Sequence, residues 1–155
     1  MKKRLLSLML ALSMALSLAT TGAWAAGQDS IRVTVTIANQ GAIAVGKNGT
    51  LMAQVPVTVT DRNGDGKFTY DEAMVAAHEA YYVEGKDGFE LNASSGWVTK
   101  LWGETGSSSY YQNNASFSEL VNAQPIENGD DLSAFVYSDP KCSDKYGFFD
   151  QSTVS

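Results

Sequence analysis

The chain has 155 residues, of which 44% are hydrophobic and 18% charged, with 14 glycines, 3 prolines and a formal net charge of −6. This composition excludes a generally disordered or collagen-like chain, and the length excludes a kinase, a TIM barrel or a two-domain dehydrogenase. The negative charge argues against nucleic acid as a partner, because an acidic surface repels phosphate groups.

The first 25 residues have the three parts of a secretory signal peptide. Residues 2–4 are basic, residues 5–19 form an uncharged apolar run, and residues 23–25 are Ala-Trp-Ala, a cleavage pattern. We predict export with cleavage near Ala25, a single domain over residues 26–155 and no membrane span in the mature chain. Loss of the three basic residues changes the formal charge from −6 to −9, which favours divalent cations as partners. The one cysteine, Cys142, cannot form an internal disulfide, which favours an exported bacterial protein.

The mature chain begins with strand patterns. Residues 31–37 alternate apolar and polar side chains, and residues 41–46 are a short apolar segment that predicts the returning strand of a hairpin. Lys47-Asn48-Gly49 predicts a turn. Residues 51–60 predict a longer strand whose valines share one face. Pro56 favours an edge position or the start of the strand over a central position.

A helix is predicted over residues 70–83, because Met74, Ala77, His78, Tyr81 and Tyr82 recur at three- and four-residue spacing. After it we predict extended segments at 89–91 and 96–102, a polar turn at 107–114, a short helix at 116–122, a turn at 128–131, a core strand at 132–137 and a last strand at 146–149. Strands interrupted by one main helix indicate an α+β fold with a small mixed sheet.

Residues 61–72 read Asp-Arg-Asn-Gly-Asp-Gly-Lys-Phe-Thr-Tyr-Asp-Glu and fit the EF-hand loop at every constrained position. Alternate side chains of such a loop turn toward one centre, and Gly66 permits the sharp bend. Calcium is a hard cation that takes six to eight oxygen ligands. The predicted calcium ligands are Asp61, Asn63, Asp65, Lys67 through its carbonyl oxygen, Thr69 and Glu72.

The same loop differs from a true EF-hand in what surrounds it. An EF-hand has a helix before the loop, whereas residues 54–60 predict a strand, and the chain contains no second loop of this kind. Paired loops drive the opening of calcium sensors, so a lone loop predicts a structural calcium site. A plain helix cap explains Thr69 and Glu72, which match a capping box, but leaves the acidic run before them unexplained.

Seven segments carry a family resemblance. They are Val33-Thr34-Val35, Asp71-Glu72-Ala73 at the end of the loop, Ala77-His78-Glu79, Lys100-Leu101-Trp102-Gly103, the run from Tyr110 to Asn114, residues 128–131 and residues 134–137. Together with the loop, they make the chain resemble a family of exported bacterial domains of unknown function. That family is related to the C-terminal β-grasp-like domain of transcobalamin and intrinsic factor. The resemblance covers most of residues 31–150. It implies a β-grasp-like mixed sheet crossed by one helix, and neighbouring surface modules as partners.

No pattern in the chain predicts catalysis, so we expect no enzyme, no catalytic residue and no cofactor other than Ca²⁺. His78 shares its helix face with apolar residues, which indicates a packed histidine, and the serines at 107–109 lack a nucleophile elbow. Asp130 and Asp131 are interpreted as a solvated turn.

Two functions remain open after the sequence alone. The first is a secreted calcium-binding module, at the cell surface or in the medium, in which calcium is mainly structural. The second is a soluble domain that binds a small ligand or glycan in an aromatic groove. The aromatic residues considered for that groove are Trp97, Trp102, Tyr110 and Tyr111.

Overall fold

The computed structural model describes residues 29–144. The predicted signal peptide and the strand predicted at 146–149 lie outside these residues. Within them, no helix is long and apolar enough to cross a membrane.

Six strands form one mixed sheet, two form a separate small sheet, and one α-helix packs against the larger sheet. This is the small α+β fold that the sequence predicts. The elements are β1 (Ile31–Asn39), β2 (Ala42–Ile43), β3 (Val55–Val59), α1 (Tyr70–Tyr81), β4 (Glu90–Leu91), β5 (Val98–Lys100), β6 (Ser108–Gln112), β7 (Ala115–Ser116) and β8 (Asp131–Val136).

The first and last of these strands lie side by side in the middle of the larger sheet. β1 and β8 are parallel, with Ile37 opposite Ala134, while β2 and β3 pair antiparallel with β1 and β6 pairs antiparallel with β8. β7 closes the far end beside β6. The sheet therefore has a parallel centre with antiparallel flanks, and one helix packs against it. Pro56 sits on β3, which pairs with β1 alone among the described strands, so the edge prediction is confirmed.

The core lies between the helix and one face of the sheet. Alternate residues of β1 and β3 are buried there. In β3, buried and exposed side chains alternate strictly, as in a strand with one solvent-exposed face. Ile37 and Leu132 supply the middle of this face, and Ala73, Met74 and Ala77 supply the helix side. Because β1 is central, its residues 35–38 are buried on both faces.

The helix ends at Tyr81, two residues before the predicted end. Tyr82 has φ −80° and ψ 141°, an extended conformation, although its N–H still bonds to the His78 carbonyl at 2.9 Å. Met74, Ala77 and His78 are buried as the spacing predicts, and Tyr81 and Tyr82 are half-buried.

The helix predicted at 116–122 is absent, and this prediction is wrong. Residues 115–116 form β7, and turns follow. The carbonyls of Val121 and Gln124 accept hydrogen bonds from the N–H groups of Asp71 (3.1 Å) and Tyr70 (3.0 Å). These bonds satisfy donors that the first turn of a helix leaves unpaired. Pairing with α1 therefore outweighs the local helix pattern.

The polar turn predicted over 107–114 is also wrong for most of its length, because residues 108–112 form β6. Its serines and tyrosines have weak strand signals, but the segment pairs with five consecutive residues of β8. The turn is confined to Asn113 and Asn114, both with positive φ. The strand predicted at 51–60 is confined to β3 (Val55–Val59). Elsewhere the predicted segments are present: β2 returns on β1, β4 pairs with β5, and β8 is a buried core strand.

Candidate functional site

The acidic loop connects the edge strand β3 to the start of α1. Residues 62–67 are exposed, whereas Thr69 and Glu72 at its end are buried. Gly66 has φ 80°, in the left-handed region that favours glycine. The bend predicted at this glycine is therefore present.

The loop curls around the carboxylate of its first residue. Asp61 Oδ1 accepts the N–H of Gly64 at 2.7 Å and that of Asp65 at 3.3 Å, and Asp61 Oδ2 accepts the N–H of Gly66 at 2.7 Å. An ionised carboxylate has about four lone-pair positions, so one position on Oδ2 stays open. The first predicted ligand is thus held in place by the backbone of its own loop.

The last predicted ligand joins the two ends of the loop. Glu72 is 4% exposed, and its Oε1 accepts the N–H of Arg62 at 2.6 Å while its Oε2 accepts the N–H of Thr69 at 3.1 Å. Thr69 and Glu72 form the capping box that their spacing predicts. Each carboxylate oxygen retains a second lone pair, so both remain able to take a further ligand.

The middle of the loop is held by short-range hydrogen bonds. Asn63 Oδ1 accepts the Asp65 N–H at 2.9 Å, and Asp65 Oδ1 accepts the Lys67 N–H at 2.9 Å. The Thr69 hydroxyl donates to Asp71 Oδ1 at 2.6 Å. Burial raises the pKa of the Asp71 carboxyl, and the hydrogen bond from Thr69 opposes that rise.

The loop places the six predicted ligand residues together in the chain without gathering their acidic groups. Across residues 29–144, no group of three or more His, Cys, Asp or Glu side chains is arranged so that it could hold a metal ion. The oxygens of Asp61, Asp65 and Glu72 instead face backbone N–H donors. The donor set consists of oxygens throughout, which is the chemistry that calcium selects.

An ion pair that no sequence pattern predicts connects the loop to the helix. The guanidinium of Arg62 bonds to the carboxylate of Glu79, two turns along α1. Both side chains are about 40% exposed (38% and 41%), so water screens the pair and its contribution to stability is small. No pattern within the loop signals it, because Glu79 lies 17 residues away in the chain.

His78 is a packed core histidine, as the helix pattern predicts. Its side chain is 0% exposed, Nδ1 donates to the Met74 carbonyl at 2.7 Å, and Nε2 accepts the Trp102 N–H at 3.0 Å. Its ring packs against Tyr82, Phe89 and Trp102, with centroids 5.1–5.9 Å apart. Burial lowers the pKa of the imidazole from 6.5 to about 4. Both nitrogens are used by the backbone, so His78 holds the neutral form with the proton on Nδ1.

Asp130 and Asp131 also have structural partners. Asp130 accepts hydrogen bonds from the side chain of Gln112 at 2.6 Å and of Asn113 at 2.8 Å, and Asp131 accepts the Thr34 hydroxyl at 2.7 Å. These bonds fasten the start of β8 to its neighbours. The turn predicted over 128–131 is confined to residues 128–129, because Asp131 already begins β8.

The aromatic residues singled out in the sequence separate into two places. Trp97, Tyr110 and Tyr111 line a groove of about 360 Å³ between β5, β6 and residues 116–121. Trp102 is 5% exposed and packs against His78 and Tyr82 in the core. The prediction that Trp102 contributes to an aromatic groove is therefore wrong. The alternation of buried and exposed side chains along a strand does not predict which tryptophan is buried. Trp97 precedes β5 and Trp102 follows it, so neither belongs to the strand.

No protein-family model matches the chain, and neither the curated proteins nor the solved structures contain a match to it.

Proposed function

We propose that this protein is an exported bacterial calcium-binding module without enzymatic activity, in which Ca²⁺ stabilises the junction between β3 and α1. The observation that carries the proposal is the twelve-residue loop 61–72, which has an oxygen donor at each position where an EF-hand loop has one. The proposed ligands are Asp61, Asn63, Asp65, the Lys67 carbonyl, Thr69 and Glu72.

The contacts of the loop support this assignment chemically. Both oxygens of Glu72 keep a lone pair after accepting the N–H groups of Arg62 and Thr69. Glu72 is thus positioned by the helix start while remaining able to bind a cation through two oxygens. Its burial at 4% exposure means that a bound cation would compensate a carboxylate charge that is costly to keep from water.

The position of the loop indicates what calcium would do. Asp61, Asp65 and Glu72 concentrate three formal negative charges in twelve residues, and their repulsion opposes a tightly closed loop. A bound divalent ion reverses that repulsion, and the loop ends directly on β3 and on the first turn of α1. Calcium would therefore tighten the connection between the edge strand and the helix, which is a structural role.

The expected stabilisation follows from mass action. Extracellular calcium modules bind with dissociation constants of about 0.1–1 mM. With a value of about 0.1 mM and about 1 mM free calcium, the folded state gains about 1.4 kcal/mol. For a domain of this size that corresponds to a rise of about 5 °C in the melting temperature.

The test is a calcium titration of the metal-free mature chain, followed by calorimetry and by thermal unfolding. Glu72→Gln should abolish the binding heat and the shift in melting temperature, since glutamine keeps an oxygen for the capping box but lacks the charge and the second oxygen. Asp71→Asn is the matched control, because Asp71 neighbours Glu72 in the same turn but is outside the proposed ligand set. The proposal is refuted if about 10 mM calcium produces neither heat nor a shift in melting temperature. This concentration is well above the dissociation constants of about 0.1–1 mM of extracellular calcium modules. An equal loss in both variants would show that general charge, rather than this ligand set, produces the response.

A further inference from the structure

The groove beside β6 has the size and lining of a small-ligand site. Its volume of about 360 Å³ lies in the range of about 300–1,000 Å³ that is typical of such sites. Trp97 borders it and is 69% exposed, and Leu120 on the opposite side is 39% exposed. Large apolar side chains at this exposure lose water when a ligand covers them.

Backbone hydrogen bonds close the turn that carries Trp97. Asn92 closes the turn before it: its carbonyl accepts the Gly96 N–H and its N–H donates to the Trp97 carbonyl, both at 2.8 Å. Gly96 has φ 71°, and a Cβ there would lie 2.7 Å from the Leu120 side chain. Glycine thus suits both the backbone conformation and the close approach of this turn to Leu120. A preformed site loses little conformational freedom on binding.

The opposite wall is fastened to the helix. Asp71 donates its N–H to the Val121 carbonyl at 3.1 Å. The ring of Tyr70 packs on Phe117 with centroids 5.1 Å apart and on Tyr110 at 5.8 Å. Phe117 and Tyr110 therefore present stable aromatic surfaces inside the groove.

The polar lining favours a neutral ligand that has many hydroxyl groups. Four serines line the groove, and Glu119 is the one charged side chain among its described lining residues. The side chains of Ser116, Ser118 and Glu119 form no hydrogen bond with any other described residue, which leaves them for a ligand or for water. The lining has no Lys, Arg or His in the described part of the chain, so it offers an anion no opposite charge.

We infer that this groove binds a neutral saccharide, with a sugar ring stacked on Trp97 and its hydroxyl groups bonded to Ser116, Ser118 and Glu119. A sugar ring has an apolar C–H face and a rim of hydroxyls, which matches aromatic surfaces bordered by serines and a carboxylate. A purely apolar ligand would leave the serine hydroxyls desolvated without partners, which is unfavourable. A quaternary ammonium ion would satisfy the aromatic rings and Glu119 but not the serines. The inference does not depend on the calcium proposal.

The experiment titrates the mature chain with maltose, cellobiose and N,N′-diacetylchitobiose, read by calorimetry and tryptophan fluorescence. After cleavage near Ala25 the chain contains two tryptophans, Trp97 and the buried Trp102, so a ligand in the groove changes the signal of Trp97. At least one of the sugars should bind with a dissociation constant of about 1 mM or below, and Trp97→Ala should weaken that binding about tenfold. Val83→Ala is the control, since Val83 is 73% exposed and lies outside the groove.

Choline chloride is titrated in parallel with the sugars. Three results would overturn the inference: no binding of any of these sugars, binding that Trp97→Ala leaves unchanged, or binding of choline in place of sugar. Circular dichroism checks that the Trp97 variant stays folded, which its exposure favours. The calcium titration and the sugar titration test the two proposals independently. A chain that ignores calcium but binds sugar refutes the metal site alone, and the reverse result refutes the groove alone.

Discussion

Acidification tests the environment of His78 directly. In the unfolded chain a histidine has a pKa of about 6.5, whereas burial lowers the pKa of His78 to about 4 in the folded protein. Between these two values the unfolded state binds one more proton than the folded state. The contribution of His78 to the free energy of unfolding is therefore fully present above about pH 6.5. It is lost as the pH decreases toward about 4.

The magnitude follows from the size of the shift. A difference of one pKa unit corresponds to about 1.4 kcal/mol, so a shift from 6.5 to about 4 corresponds to a loss of about 3 kcal/mol by pH 4. That is a large part of the stability of a small domain, which is about 5–15 kcal/mol in total. The physical cause is burial, which removes the charged ring from water. Protonation would also place a second N–H at Nε2, the atom that accepts the N–H of Trp102 at 3.0 Å.

The assay is urea unfolding of the wild type and of His78→Gln at about pH 7 and about pH 4. His78 is the single histidine of the chain, so subtracting the variant removes the titration of the carboxylates and leaves that of the imidazole. The variant should be less stable at neutral pH, because it disturbs two buried hydrogen bonds. At low pH its deficit should shrink by about 3 kcal/mol. A deficit of the same size at both pH values would refute a buried neutral histidine.

Two further substitutions test the packing. Gly103→Ala and Gly129→Ala both place alanine at a positive φ, 80° at residue 103 and 94° at residue 129. The new Cβ at residue 103 would lie 2.1 Å from the Tyr82 hydroxyl, whereas the new Cβ at residue 129 meets open space. In urea unfolding, Gly129→Ala should cost about 1–2 kcal/mol from backbone strain alone and Gly103→Ala about 1–3 kcal/mol more; equal costs would show that Tyr82 moves aside freely. Tyr70→Phe should lower the free energy of unfolding by about 1–3 kcal/mol, since the fully buried Tyr70 hydroxyl donates to the Ser133 carbonyl at 2.7 Å. An unchanged urea midpoint for this variant would contradict that bond.

The elements with a regular hydrophobic period were predictable. Val55, Val57 and Val59 alternate with polar residues and proline, and all three valines are buried on the sheet face that meets the helix. The spacing of Met74, Ala77 and His78 identified the buried side of α1 in the same way. A period of two or of 3.6 residues is a property of the chain itself, so it is visible before folding.

The wrong predictions concern segments whose partners are distant in sequence. Residues 108–112 have polar and aromatic side chains in no clear period. They form a strand because they pair with the backbone of β8, whose partner residues lie 20 to 28 positions later in the chain. Residues 117–122 show an apolar spacing, yet Val121 gives its carbonyl to Asp71, which lies 50 residues earlier. Local propensity is a weak preference that such pairing overrides.

The same distinction between local sequence and distant contacts applies to the candidate site. Sequence by itself determined the donor order from Asp61 to Glu72, the bend at Gly66 and the packing of His78 on the helix face, because each depends on residues within one turn or one loop. The tertiary structure alone decided that Glu72 bonds across the loop to Arg62, that Trp102 enters the core and that Trp97 stays at the surface beside a groove. Those outcomes depend on which surfaces meet after folding, and neighbouring residues in a chain carry little information about that.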